Sequence, residues 1–73
     1  MNQTLDLTGL KCPLPILRAK KALAQMQTGE VLTVQATDAG APDDFAAFCR
    51  QTGHELLESR TENDVFILVV RRK

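Results

Sequence analysis

The sequence has no surplus of charge: nine Lys and Arg residues are balanced by nine Asp and Glu residues. Binding a phosphate backbone draws on unbalanced cations that displace its counterions, so direct nucleic-acid binding is not expected. Long apolar runs are missing too. The longest, Val65 to Val70, falls far short of the roughly 20 residues that span a bilayer. Met1-Asn2-Gln3-Thr4 is not a basic segment leading into an apolar one, so neither a secretory leader nor a membrane partner is expected. Cysteine is sparse. Two residues do not make a disulfide scaffold, and the expectation is a cytoplasmic protein with reduced thiols. Repeats, low-complexity tracts and linkers are absent, and 73 residues make one domain, 1–73. A chain this short buries only about 60% of its unfolded surface, so its core is thin.

What is present alternates in period. Thr4-Leu5-Asp6-Leu7 has strand alternation and meets a turn at Thr8-Gly9. From Pro13 to Met26 the spacing becomes helical, with Ile16, Ala19, Leu23 and Met26 on one face. Thr28-Gly29 ends that helix, and Val31 to Ala36 is a β-branched strand. Pro42, as a first-turn residue, signals a second helix, and Asp43 and Asp44 complement its positive end. Phe45, Phe48, Cys49 and Thr52 form the inner face of that helix, and Gly53 closes it. Glu55 to Ser59 is a weaker strand, Glu62-Asn63-Asp64 a turn, and Val65 to Val70 the most apolar strand.

The order βαβαββ predicts a two-layer α/β sandwich: a four-stranded mixed sheet with two helices on one face. The first strand–helix–strand unit crosses over right-handed, which makes its strands parallel. The last two strands form an antiparallel hairpin, with the apolar one inside the sheet and Glu55–Ser59 at an edge. Along the apolar strand Phe66, Leu68 and Val70 point one way and Val65, Ile67 and Val69 the other, and both sets are apolar, so weak self-association or docking through the open face is a further expectation.

Lys11-Cys12-Pro13-Leu14-Pro15 is the informative stretch. Pro13 suits the first helical position, which makes Cys12 the cap residue. There its thiolate faces free N–H groups and the helix dipole, with Lys11 adjacent, and its pKa is expected to fall. Pro13 and Pro15 lack N–H groups, so Leu14 is the main donor left for the sulfur. The segment is a stiff pedestal that holds the sulfur outward. With Ile16 and Leu23 turned to the sheet, Leu14, Arg18, Lys21 and Gln25 form the outer stripe, a docking strip for an acidic partner. Cys49, beside Phe45 and Phe48, is expected to be a buried core thiol. His54 is expected to be a loop or strand-start residue with one satisfied hydrogen bond. Two rival chemistries are weaker. A Cys12–Cys49 dithiol lacks Cys-x-x-Cys spacing, and a metal site from Cys12, Cys49 and His54 lacks a fourth ligand. A regulatory module that does not depend on Cys12 is a further alternative.

Leu5-Asp6, Gly9-Leu10, Cys12-Pro13-Leu14-Pro15, Leu17, Lys20 to Leu23, Gly29-Glu30, Thr37-Asp38, Asp44, Phe48-Cys49, Gly53-His54 and Leu56-Leu57 together resemble the TusA (SirA-like) sulfur-carrier family over nearly the whole chain. The family often has proline after the Thr-Asp pair, where this chain has Ala39 and Gly40. The resemblance implies the βαβαββ sandwich and a persulfide on the CPxP cysteine, here Cys12. Pro13, Leu14 and Pro15 would position it, and Lys11, Leu14, Arg18 and Lys21 would meet partners. It implies sulfur received from a cysteine desulfurase or rhodanese-like protein. It further implies delivery to an acceptor serving tRNA 2-thiouridylation, molybdenum cofactor assembly or sulfur oxidation. The resemblance implies a sulfurtransferase-type carrier that acts as a protein co-substrate rather than as an independent turnover enzyme, and neither a cofactor nor a metal is expected.

Overall fold

The structure, a computed structural model, describes residues 2–73. The elements follow in the order β1 (Gln3–Leu7), α1 (Leu14–Ala24), β2 (Val31–Ala36), α2 (Ala41–Thr52), β3 (Glu55–Glu62) and β4 (Val65–Arg71). The sheet order is β1-β2-β4-β3. β1 pairs parallel with β2, β4 antiparallel with both β2 and β3, and both helices pack on one face as expected. The apolar β4 lies inside the sheet and β3 at its edge.

The register explains which side chains meet the helices. Leu32 opposes Val70 and Val34 opposes Leu68; all four are fully buried, as is Phe45 of α2. On β1, Leu5 and Leu7 align with Val34 and Ala36 and share that face. From the helix layer, Ala19, Leu23, Phe45, Phe48 and Cys49 complete the core. Phe45 and Phe48 meet edge to face with centroids 6.5 Å apart. Truncating Phe45 to Ala would cost about 3–5 kcal/mol, a large share of what so thin a core supplies.

On the open face, Val65, Ile67 and Val69 form a strip one strand wide. Thr33 and Gln35 border it on one side, and Glu58, Arg60 and Glu62 on the other. Arg60 pairs with Glu58 and with Glu62.

Some boundaries differ from the sequence expectation, and α1 ends at Ala24 rather than Met26. β3 continues beyond Ser59 to Glu62, because Asn63 and Asp64 both adopt positive φ (50° and 65°). That is the backbone of a two-residue hairpin turn, and it lets β3 and β4 pair right up to the turn. α2 begins as expected, with Pro42 in its first turn and Gly40 as its cap. A further difference concerns the start of α1 and bears directly on the sulfur. Pro13, not Cys12, is the cap residue; Leu14 is the first helical residue, and Pro15 lies in the first turn. Cys12 therefore stands one residue before the cap, in a turn, and the Cys12–Pro13 peptide is cis.

Candidate functional site

The site is built where two loops at one end of the sheet meet. The loop after β1 carries Cys12, and the loop after β2 carries Thr37, Asp38 and the start of α2. A hydrogen bond joins them: the Gly9 N–H donates to Thr37 Oγ1 at 2.8 Å. Gly9 sits at φ +82°, a conformation that favours glycine. The Asp6 carboxylate holds the same turn by accepting from the Thr8 N–H at 3.1 Å and the Thr8 hydroxyl at 2.6 Å. These bonds hold the Asp6 carboxyl below the usual carboxylate range.

Cys12 is exposed and free. Leu14, at 43% exposure, and Leu17, at 53%, are the apolar side chains that α1 leaves exposed near it. Pro15 is buried and anchors the segment. Lys11, Arg18 and Lys21 are exposed. Arg18 and Lys21 lean over the outer edge of β1 and line a groove there.

The electrostatics differ from the expectation. The Leu14 N–H donates to the Lys11 carbonyl at 2.8 Å, so the one first-turn donor reserved for the sulfur is already used. The thiol instead faces the start of α2. Hydrogen bonding to the Asp44 carboxylate, then desolvation, then the negative charges of Asp44 and Asp38 push the Cys12 thiol above its ordinary pKa. The expected lowering is thus reversed. A carboxylate that accepts the thiol proton stabilises the neutral form, and a second negative charge disfavours the thiolate.

Asp38 and Asp44 are brought together around Gly40. The Gly40 N–H donates to Asp38 Oδ2 at 3.1 Å. A Cβ at Gly40 would lie 3.2 Å from Asp38 Oδ2 and 3.6 Å from Asp44 Oδ2. Asp43 and Asp44 also occupy the first turn of α2, where the helix dipole favours negative charge. In the sequence Asp44 was legible only as a helix-start acid. No local pattern ties it to Cys12.

The remaining candidates fall elsewhere. Cys49 is free and buried, and burial raises its thiol pKa. His54 packs on Phe48 with ring centroids 5.7 Å apart, and its Nδ1 accepts from the Lys73 N–H at 3.1 Å. Burial, then the charges of Arg72 and Lys73, lower its pKa. It is a clasp for the last strand's end. Among the described residues, no three His, Cys, Asp or Glu side chains are placed to hold a metal ion, and no helix is long and apolar enough to cross a membrane.

Residues 3–72 match the family described as sulfurtransferase TusA. A protein of Neisseria meningitidis serogroup A that carries a sulfur-carrier designation is 72% identical over 72 residues, covering 99% of this chain and 97% of its own. The sulfur carrier protein TusA of Allochromatium vinosum is 54% identical, over 97% of this chain and 93% of its own. The crystal structure of a SirA-like protein from Desulfitobacterium hafniense superposes with a TM-score of 0.84 at 30% identity. That match covers 94% of this chain and 95% of the other.

Proposed function

We propose, for a chain that belongs to the TusA family of sulfur carriers, that Cys12 is the atom that carries the sulfur, held as a persulfide between a donor and an acceptor protein. The observation that carries this reading is the contrast in access: Cys12 is exposed, whereas the only other cysteine is buried.

The transfer balances without an oxidant. The Cys12 thiolate attacks the outer sulfur of a donor persulfide, a new S–S bond forms, and the donor's own S–S bond breaks. The donor leaves as a thiolate, which takes up the proton that Cys12 lost. An acceptor thiolate then attacks the outer sulfur of Cys12-S-SH, and Cys12 leaves with its electron pair. This is exchange chemistry of the thiol–disulfide kind. The raised Cys12 pKa gives less thiolate at neutral pH, but each thiolate is more nucleophilic. A mostly protonated thiol is also slower to climb the oxidation ladder, which suits a cysteine that waits in the open. The Asp44 carboxylate, which hydrogen-bonds the thiol, is placed to pass that proton on to the leaving donor.

The donor is a cysteine desulfurase or a rhodanese-like protein of the cytoplasm. The acceptor belongs to tRNA 2-thiouridylation, molybdenum cofactor assembly or sulfur oxidation. Lys11, Leu14, Arg18 and Lys21 meet these partners, and Pro13 and Pro15 stiffen the segment so that docking costs little ordering. Incubation with a desulfurase and cysteine, followed by intact-protein mass spectrometry, tests the reading. One added sulfur on the native chain, mapped to Cys12, is the expected result. Equal labelling of a Cys12→Ser chain would overturn it.

A further inference from the structure

The two free edges of the sheet are built differently. β3 is closed to further pairing: its register slips between Leu56 and Glu58, and its exposed face carries Glu55, Glu58, Arg60 and Glu62. Arg71 pairs with Glu55, and Arg60 with Glu58 and Glu62. A bulge and fixed charges are the usual defences against an added strand. β1 has neither. It pairs with β2 without a slip, and its one charged side chain, Asp6, is turned back onto Thr8.

Beside that open edge lies a groove of about 520 Å³, with Leu5, Leu7 and Ala22 as its apolar part and Arg18, Lys21 and Gln25 along α1. No acidic residue lines it. α1 itself holds Arg18, Lys20 and Lys21 and no acidic residue, and among the described residues neither Arg18 nor Lys21 has an ion-pair partner. In a chain of zero net charge this is segregation, with acids gathered on β3 and at the start of α2. The stripe that begins at Leu14, two residues after Cys12, runs along the groove.

We propose that the β1–α1 groove seats an extended, acidic segment of the protein that exchanges sulfur with Cys12, laid along β1 as an added strand. Backbone groups of β1 that face away from β2 supply hydrogen bonds. Alternate side chains of the visiting segment enter the apolar part of the groove. Its carboxylates meet Arg18 and Lys21. Exposed ion pairs are weak and salt-screened, which suits a carrier that must let go. The sulfur-carrier reading supplies the partner's role; the groove, the open edge and the charge stand without it.

The test is an NMR titration of the isotope-labelled full chain with a synthetic octapeptide of alternating valine and glutamate. Two controls accompany it, the valine–lysine counterpart and a valine–glutamate peptide with a central proline. Saturable shifts at Gln3 to Leu7 and Arg18 to Gln25 are expected. The Arg18→Glu, Lys21→Glu double variant should weaken binding by about tenfold or more, and the proline peptide should bind more weakly than the parent. Absence of binding, equal binding of the lysine or proline peptide, or shifts that follow protein concentration alone and so report a second copy would each overturn the proposal. A Cys12→Ser chain should bind the peptide as the native chain does. Failed sulfur loading with intact peptide binding counts against the carrier reading alone, and the reverse outcome against the groove alone.

Discussion

Cys12 and Cys49 both have thiol pKa values above the ordinary one, with different leading causes. Burial raises Cys49, whereas Cys12 is in solvent and is raised chiefly by the carboxylate of Asp44. The first effect cannot be undone without unfolding α2. The second depends on one side chain at the rim of the protein, and a partner's cation could cancel it. The comparison teaches that a pKa displaced upward need not mean an inert sulfur. What matters is whether the cause can be removed on demand.

The largest expected effect separates the two residues outright. With a desulfurase and cysteine, a Cys12→Ala chain should take up no sulfur above background in mass spectra, while a Cys49→Ala chain should load as the native chain does. Next comes stability. Cys49→Ser puts a hydroxyl where a thiol is 6% exposed, at a cost of about 1–3 kcal/mol. Cys12→Ser, at an exposed position, should stay within about 0.5 kcal/mol of native in urea unfolding.

A more selective test acts on the cause rather than the sulfur. In Asp44→Asn the hydrogen-bonding carboxylate and its charge are gone while Asp38 remains, so the Cys12 pKa should fall part of the way to its ordinary value. Its iodoacetamide alkylation should then quicken severalfold at neutral pH, with the midpoint of the rate–pH curve moved down. An unmoved midpoint would mean that Asp44 does not govern the thiol. The smallest effect is a control: a thiol reagent should titrate one cysteine in the native state and the second only after denaturation.

Much of the fold was legible because it is local or periodic. The apolar run Val65–Val70 announced a strand inside the sheet, the Gly-bounded helical spacings announced both helices, and Cys49 beside Phe45 and Phe48 announced its own burial. The second half of β3 is not legible in the sequence, because an exposed edge segment such as Glu58 to Glu62 carries no apolar alternation. The exposed position of Cys12 followed from its prolines, but its electrostatic partner did not. Asp38 and Asp44 reach it only through the pairing of β1 with β2, which carries the two following loops to the same end of the sheet. The cap falls at Pro13, one residue past the position the sequence points to, because Pro13 and Pro15 both suit a helix start.

The far end of α1 is tied more firmly than the end near the sulfur. Arg72 Nε donates to the Leu23 carbonyl at 2.8 Å, while the Arg72 N–H and carbonyl bond the Glu30 carbonyl and the Gly29 N–H. The α1 N-terminus has no side-chain cap. The helix still behaves as a beam held at both ends, by Arg72 at the far one and by buried Pro15 at the one next to Cys12. A load placed on the exposed turn at Cys12 is therefore carried along α1 to the C-terminal end of the sheet.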